Sequence, residues 1–210
     1  MSLRMKAGVA IATMAAMAAM ALAGTALART PEAKPARIRG NIVSLAGDVL
    51  EVHRRSGDTV SVDLAANVPL SAVKAVQLSD IKPGTFVGTA ARTGTDGKLT
   101  ATEVVVFPEA ARGTGEGHYA WDFGANSTMT NANVDTVVQG TEGRNLKLSY
   151  KGGSNEVTVP PNVPVVTFIP ASRADLAPGR QVFVVATPAS QGTYAAQRVV
   201  VEKNGVVPPM

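Results

Sequence analysis

A repeat at a fixed offset of 95 residues constrains the fold of this chain more than any other feature. Three pairs of segments share that offset: Asn67-Val68-Pro69 with Asn162-Val163-Pro164, Asp80-Ile81-Lys82-Pro83-Gly84 with Asp175-Leu176-Ala177-Pro178-Gly179, and Val104-Val105-Val106 with Val199-Val200-Val201. Chance does not keep a common register over three separate segments, so the chain is predicted to contain two copies of one module. We place the copies at residues 38–107 and 134–210.

Within each copy the apolar residues have a period of two. Val60 and Val62 alternate with Ser61 and Asp63, which is typical of a strand with one buried face. Turn residues such as Pro83-Gly84 separate the strands. Five or six short strands joined by tight links favour a closed barrel, because closure removes exposed strand edges. We therefore expect an all-β fold of two tandem, small OB-like β-barrel modules.

Residues 1–28 have the three parts of a secretory signal peptide. Arg4 and Lys6 precede an uncharged stretch of Ala and Met, and Ala26-Leu27-Ala28 matches an A-x-A cleavage site. Cleavage after Ala28 would deliver the protein to the periplasm or the medium. An uncleaved membrane anchor is the alternative, although a run dominated by Ala is weakly hydrophobic for a spanning helix. Residues 29–37, with two prolines and mixed charges, are predicted to be a flexible lead-in.

Composition excludes several classes of function. The chain has no cysteine, which rules out disulfides, thiolate zinc sites and a cysteine nucleophile. Because Arg4 and Lys6 leave with the signal peptide, 18 of the 20 basic residues remain against 16 acidic ones. A protein so close to neutral is not expected to bind nucleic acid by electrostatics. No hydrolase motif such as G-x-S-x-G occurs, so we do not expect an enzyme.

Residues 108–133 belong to neither copy and form the candidate functional segment. At this length a connection is usually functional or a structural clamp. Glu116, His118 and Asp122 offer an imidazole and two carboxylates within seven residues. Divalent metal ions accept such a mixed set of nitrogen and oxygen donors, although the spacing matches no standard motif. A divalent metal is therefore a candidate ligand, and no other cofactor is expected.

The same segment has two other interpretations. As a clamp between the modules, it would fill their seam with Tyr119, Trp121 and Phe123, while Arg112 pairs with nearby acids. As a recognition surface, it would present Tyr119 and Trp121 as exposed anchors for a protein or glycan. Aromatic residues at alternate positions also favour a short strand along a barrel edge.

Three segments of the module carry a resemblance: the opening Ile38-Arg39-Gly40-Asn41-Ile42, the turn Asp80-Ile81-Lys82-Pro83-Gly84, and the hairpin Asp96-Gly97-Lys98-Leu99-Thr100-Ala101 before a Val-rich strand. Through these segments, the part of the chain after the signal peptide resembles a domain-of-unknown-function family of exported bacterial β modules. The joining segment, from Arg112 through Trp121 to Asn131, is similar to that of a tandem subgroup that sometimes bears an automatic "metal transporter permease" label. A permease needs several spanning helices, and the sequence contains none after the signal. The resemblance implies an exported, OB-like protein and carries over no catalytic residue.

Together these observations predict an exported, non-enzymatic binding or scaffold protein of the cell envelope. Its expected partner is an envelope protein or a glycan, with no nucleic acid and no transmembrane segment after cleavage of the signal. The alternative is a periplasmic divalent-metal-binding protein that uses Glu116, His118 and Asp122.

Overall fold

The computed structural model describes residues 34–140 and 143–209, so the predicted signal peptide and most of the lead-in lie outside the described residues. In the described part no helix is long and apolar enough to cross a membrane. Thirteen strands follow one another along these ranges: β1 Ala36–Ala46, β2 Val49–Arg54, β3 Thr59–Asp63, β4 Leu70–Ala75, β5 Phe86–Thr93, β6 Leu99–Val106, β7 Gly117–Ala120, β8 Ser127–Gly140, β9 Gly143–Tyr150, β10 Gly153–Val159, β11 Val165–Pro170, β12 Gln181–Pro188 and β13 Tyr194–Val201. The predicted all-β class is confirmed.

Ten of these strands close two barrels of five strands each. The first barrel is the ring β1-β2-β3-β13-β12, in which β3 and β13 are parallel and every other pair is antiparallel. The second barrel is the ring β8-β9-β10-β6-β5, in which β10 and β6 are parallel. Small closed rings of this kind confirm the OB-like expectation.

Each barrel takes strands from both predicted modules. Strands β1 to β3 lie in residues 38–107 apart from the first two residues of β1, yet their ring is completed by β12 and β13 from residues 134–210. The second barrel likewise closes around β5 and β6 from the first module. β4 and β11 pair antiparallel with each other, and β4 also pairs with β13 and β11 with β6. The chain from Ala33 onward therefore forms one compact unit.

Strands β6 and β13 each contain one extra residue. Ala90 pairs with Glu103 and Ala91 with Ala101, so Thr102 is left without a partner in β6. Likewise, the partners of Val185 and Ala186 in β13 are separated by one extra residue, Gln197. Such a β-bulge shifts the alternation of side chains by one. As a result, the side chains directly after the bulges, Glu103 and Arg198, point out of their barrels.

The core consists of three clusters of buried apolar side chains. One fills the first barrel around Ile38, Leu50 and Val62. Another fills the second barrel around Val87 and Leu146. The third cluster joins strands of both barrels with β4 and β11, and we call this contact region the seam. Its buried members are Val73, Val105, Val166, Phe183 and Val200.

The turns before β5 and β12 have the predicted chemistry. Gly84 and Gly179 have φ values of +86° and +84°, in the left-handed region that glycine adopts without strain. Proline precedes each glycine, which suits a type II turn. A single 3-10 turn comes before each of them, at Leu78–Asp80 and at Arg173–Asp175.

Candidate functional site

The central segment is attached to the second barrel by a hairpin. β7 pairs with β8 from Gly117 opposite Asn131 to Ala120 opposite Thr128, so the predicted edge strand is present. Beyond β7, the Trp121 N–H donates to the carbonyl oxygen of Ser127 at 2.8 Å. The hydroxyl group of Ser127 donates in return to the carbonyl oxygen of Trp121 at 2.7 Å. This closed turn fixes the backbone from which the Trp121 side chain projects.

Trp121 lies against a cation from the first barrel. The guanidinium carbon of Arg37 is 4.0 Å from the centroid of the indole ring, a cation–π distance. Tyr119 and Phe123 flank the same ring, with centroids 6.2 Å and 6.3 Å away. Arg37 belongs to the predicted flexible lead-in, whereas in the structure it is the second residue of β1 and pairs with Val185. The lead-in therefore contributes to the site.

Arg39 forms the strongest polar link between the hairpin and the first barrel. Its guanidinium donates two hydrogen bonds to the Asp122 carboxylate, at 2.8 Å and 2.9 Å. It also lies 4.6 Å from the ring centroid of Phe123 and 4.9 Å from that of Phe183. Burial by itself would raise the pKa of Asp122, but the hydrogen bonds and charge of Arg39, with the charge of Arg37, hold that pKa below its ordinary value.

Arg112 ties the start of the central segment to the second barrel. Its side chain pairs with the carboxylate of Glu109, and this hydrogen bond lowers the pKa of Glu109 and raises that of Arg112. The same guanidinium donates to the carbonyl oxygen of Gly84 at 2.9 Å and to the side-chain oxygen of Asn133. The local pairing of Arg112 with Glu116 and Asp122 that the clamp interpretation predicts is not found, because Glu109 is the acid partner of Arg112 while Glu116 and Asp122 contact other residues.

The three predicted metal ligands have separate partners. Glu116 accepts a hydrogen bond from the backbone N–H of Lys151 at 3.0 Å, and Asp122 is engaged by Arg39. His118 Nδ1 lies 2.8 Å from the hydroxyl oxygen of Thr130. Over residues 34–140 and 143–209, no three His, Asp or Glu side chains form a group that could hold a metal ion. The structure does not bring Glu116, His118 and Asp122 together.

A cavity of about 120 Å³ lies in the seam beneath Trp121 and Tyr119. Its walls come from both barrels, from the central segment and from β11, and most of them are apolar or aromatic. Arg198 is the one charged side chain among the lining residues, which the structure describes in full. The other lining residues are Gly88, Val105, Phe107, Thr114, Gly115, Met129, Asn131, Phe168 and Phe183.

Three polar atoms of the lining side chains are buried and have no hydrogen-bond partner among the described residues. They are the Nε1 of Trp121, the Oδ1 of Asn131 and the Nε of Arg198. The amide orientation of Asn131 is set by its Nδ2, which donates to the carbonyl oxygen of Thr114 at 3.0 Å and to the hydroxyl oxygen of Tyr119 at 3.4 Å. Buried polar groups are nearly always paired, so an unpaired group needs an explanation.

A fourth side chain of the seam, Glu103, is also unpartnered. It is 1% exposed, and neither of its carboxylate oxygens has a hydrogen-bond partner within the described ranges. Burial raises its pKa to about 8; Asp122 adds to that rise, while Arg39 and Arg55 oppose it. At neutral pH this carboxyl group is therefore mostly protonated.

Sequence reasoning missed four residues of this site: Arg37, Arg39, Glu103 and Arg198. The two arginines of β1 stand at or beside the boundary of the predicted lead-in. The two later residues stand in strands whose alternation is reset by a bulge. For Glu103 a signal exists, because this lone acid stands between Ala101 and a run of three valines.

A larger depression of about 590 Å³ lies elsewhere, against β9 and β10. Most of its polar side chains pair with one another or with neighbours. The Thr158 hydroxyl, for example, donates to Asn145 Oδ1 at 2.9 Å, and Asn155 Nδ2 donates to the Tyr150 hydroxyl oxygen at 3.3 Å. Size alone favours this depression, but chemistry favours the seam, because the seam cavity combines aromatic walls with a guanidinium.

The seam cavity is therefore the candidate functional site. It combines aromatic walls with one guanidinium, and three polar atoms of its lining side chains are buried and unpartnered among the described residues. Function must be argued from such a site and not from the fold, since OB-like barrels serve many functions. Comparison of the chain with models of protein families, with curated proteins and with solved structures gave no match.

Proposed function

We propose that this protein is an exported, non-enzymatic binding or scaffold protein of the cell envelope, and that its binding surface is the seam. The observation that carries the proposal is the cavity of about 120 Å³ beneath Trp121, whose lining combines aromatic side chains with the guanidinium of Arg198. Mostly apolar and aromatic walls with a few polar groups are typical of binding sites.

The chemistry of the seam suits binding better than catalysis. An indole, an amide and a guanidinium offer hydrogen bonds, but none of them is a nucleophile at neutral pH. The closest approach to a nucleophile and base is His118 Nδ1 with the Thr130 hydroxyl. Thr130 is fully buried, so its hydroxyl oxygen is out of reach of a substrate.

Export and placement in the envelope follow from the N-terminal sequence. Residues 1–28 match a secretory signal with a cleavage site after Ala28, and the modules resemble a family of exported bacterial proteins. An envelope protein or a glycan is the expected partner, because Tyr119 and Trp121 are residue types that anchor such interfaces.

The proposal can be tested by site-directed photocrosslinking in living cells. A photoreactive residue at exposed Ala120, beside Tyr119 and Trp121, should give defined adducts in the envelope fraction. The same residue at exposed Lys74 of β4 serves as the matched control and should give none. The mature protein should begin at Arg29 by mass spectrometry.

The second part of the test asks whether the adducts formed at Ala120 depend on the cavity. Adducts at Ala120 should decrease when Arg198→Met removes the cationic wall, since that change leaves the exposed surface around position 120 intact. Equal adducts at Ala120 and Lys74, or adducts indifferent to Arg198→Met, would overturn the assignment of the seam as binding surface. Recovery of the protein with residues 1–28 intact from the cytoplasm would overturn the proposed export.

A further inference from the structure

β7 differs from the other strands in having a single neighbour. Among the described residues, each of the other twelve strands pairs with at least two strands, either around a barrel ring or through β4 and β11. β7 pairs with β8 alone, so within those ranges its second edge is unpaired along its whole length. An open strand edge presents a row of backbone N–H and C=O groups that can pair with another polypeptide.

The register of the hairpin determines which backbone groups line this free edge. The Trp121 N–H donates to the carbonyl oxygen of Ser127, so Tyr119, two residues earlier, also exchanges its backbone hydrogen bonds with β8. In an antiparallel pair, the residues between such positions point their backbone groups to the other side. His118 and Ala120 are these residues, and both are exposed. Two donors and two acceptors therefore line the free edge of β7.

β7 lacks the features by which proteins usually protect such an edge, namely a lysine, a proline or a bulge. Its four residues pair with β8 in an unbroken register. The closed turn after Trp121 fixes one end of the strand, and the hydrogen bond from the Lys151 N–H to Glu116 fixes the other. A partner that pairs with this edge therefore meets a backbone that is already ordered, which lowers the cost of binding.

We propose that β7 is a docking edge for an extended segment of another protein, which adds as a strand antiparallel to β7. Main-chain hydrogen bonds to His118 and Ala120 hold the segment, as in other cases of strand addition. The half-buried ring of Tyr119 favours an apolar, β-branched residue opposite it, and exposed Glu116 favours a basic residue. This inference goes beyond the proposed function, because it concerns the outer edge of the hairpin and not the cavity.

Two other occupants suit this edge less well. A stable contact between two copies of a protein uses about 20–30 residues a side, whereas β7 has four. Antiparallel self-pairing through the same four backbone groups would also place Glu116 of one copy opposite Asp122 of the other, and like charges directly opposite are destabilising. The lead-in of the same chain contains Pro31 and Pro35, and proline cannot donate to a strand ladder.

The proposal can be tested with a synthetic peptide and hydrogen exchange measured by NMR. The peptide is acetyl-STTVTTK-amide, whose valine is designed to lie opposite Tyr119 and whose lysine lies opposite Glu116. In the free protein the amide of Tyr119 should exchange more slowly than those of His118 and Ala120, because only Tyr119 donates to β8. Peptide at about ten times its Kd should slow exchange at His118 and Ala120 about tenfold and leave Tyr119 unchanged.

Methylated peptides show whether the main chain carries the binding. Methylation of the backbone nitrogens of the two threonines that flank the valine removes the donors that face β7, and it should abolish the protection. Methylation of the valine nitrogen, which points away from β7, is the matched control and should preserve the protection.

A pair of protein variants tests the same hydrogen bonds from the other side. Ala120→Pro removes one outward N–H, and an edge strand tolerates proline where its N–H points away from the sheet. It should weaken peptide binding about fivefold or more, with the His118 amide as the readout. Ala120→Thr keeps the N–H and should leave the Kd unchanged. Thermal melting checks folding, and if Ala120→Pro does not fold, the methylated peptides still decide the question.

The inference is overturned if peptide up to about 5 mM leaves exchange at His118 and Ala120 unchanged, or if both kinds of methylated peptide protect equally. It is also overturned if these amides are as slow as that of Tyr119 in the free monomer, which would mean that the same chain covers the edge. Protection that appears only with dimerisation would assign the edge to a second copy. None of these results bears on the cavity, which crosslinking at Ala120 with and without Arg198→Met tests separately.

Discussion

Glu103 and Arg198 occupy corresponding places in the two barrels, and their surroundings differ. Glu103 directly follows the bulge in β6 and Arg198 directly follows the bulge in β13, and each points toward the seam. Glu103 is almost fully buried and is held mostly protonated at neutral pH. Arg198 keeps its charge and borders an open cavity of about 120 Å³. The two barrels therefore present opposite chemistry to the seam from matching positions.

The central segment accounts for this difference. It is attached to the second barrel through β7 and has no counterpart on the first. Its Asp122 carboxylate opposes ionisation of Glu103, while Tyr119 and Trp121 form the cavity wall beside Arg198. The hairpin thus closes one side of the seam and forms a wall of the cavity on the other. Substitutions on the two sides should have different consequences.

The largest expected effect concerns the pH dependence that Glu103 imposes on folding. The unfolded carboxyl group ionises near pH 4.5, whereas in the folded protein it stays protonated until about pH 8. The folded state therefore binds more protons between these values, and stability falls as pH rises through this window. At 1.36 kcal/mol per pKa unit, the loss is on the order of 5 kcal/mol. Chemical denaturation at several pH values measures it.

Glu103→Gln should remove this slope, because an amide does not titrate. The exposed residue Glu156 provides the matched control, and Glu156→Gln should keep the slope of the unchanged protein. If the free energy of unfolding of the unchanged protein does not vary between pH 5 and 8, Glu103 is not the buried, protonated carboxyl group described above.

The second-largest expected effect is that of truncating Trp121, whose ring contacts the first barrel through Arg37 and also lines the seam cavity. Trp121→Ala removes the ring that lies against Arg37 and covers the cavity, and it should cost about 2–3 kcal/mol in the free energy of unfolding. Trp121→Phe should cost less. Val138 is 57% exposed, and Val138→Ala should stay within about 0.5 kcal/mol. A Trp121→Ala variant as stable as Val138→Ala would show that the hairpin does not hold the barrels together.

A smaller effect is expected for the ion pair that links the hairpin to the first barrel. A double-mutant cycle of Arg39→Met and Asp122→Asn should give a coupling of about 1 kcal/mol, since the Asp122 side chain is 39% exposed and solvent screens the pair. The pKa of Asp122 is lowered in the folded state, so this contribution is present near neutral pH and is lost as pH falls through that value. Zero coupling at pH 7 would mean that the two residues act independently.

The smallest expected effect is that of an added divalent metal ion on the Tm. Glu116, His118 and Asp122 each have another partner, so added Zn²⁺ should change the Tm of the unchanged protein and of His118→Ala equally little. Elemental mass spectrometry on untagged protein gives an independent measure. Stoichiometric metal that disappears in His118→Ala would make the metal-binding alternative primary.

Local pattern was enough to predict much of this fold. The period-two alternation around Val60 and Val62 predicted strands, and β3 contains both residues. Pro83-Gly84 predicted a turn with a left-handed glycine, which Gly84 adopts. Alternating aromatics in residues 108–133 predicted an edge strand, and β7 covers part of that stretch. Each of these features depends on residues that are close in the sequence.

Pairing between distant strands could not be predicted in the same way. β5 and β12 have similar apolar patterns, so the sequence does not show which of them completes the ring that β1 begins. Closing either ring removes the same exposed edges, and local propensity is equal for both choices. The structure pairs β1 with β12 and β8 with β5.

The candidate site was hidden for a related reason. A strict period of two puts Leu99, Ala101 and Glu103 on one face, inside the barrel, where a charged residue is not expected. The extra residue Thr102 reverses that alternation, and no residue type in the sequence marks it. Prediction of the central segment as the functional region located Tyr119 and Trp121, whereas Arg198 on the facing strand required the folded structure.

The most direct test of the account compares photocrosslinking at Ala120 in Arg198→Met and Glu103→Gln under identical conditions. We expect Arg198→Met to decrease the adducts, while Glu103→Gln keeps the adducts of the unchanged protein, because its side of the seam is closed. Equal adduct yields in the two variants, whether both reduced or both unchanged, would contradict the claim that the hairpin makes only the Arg198 side a binding site.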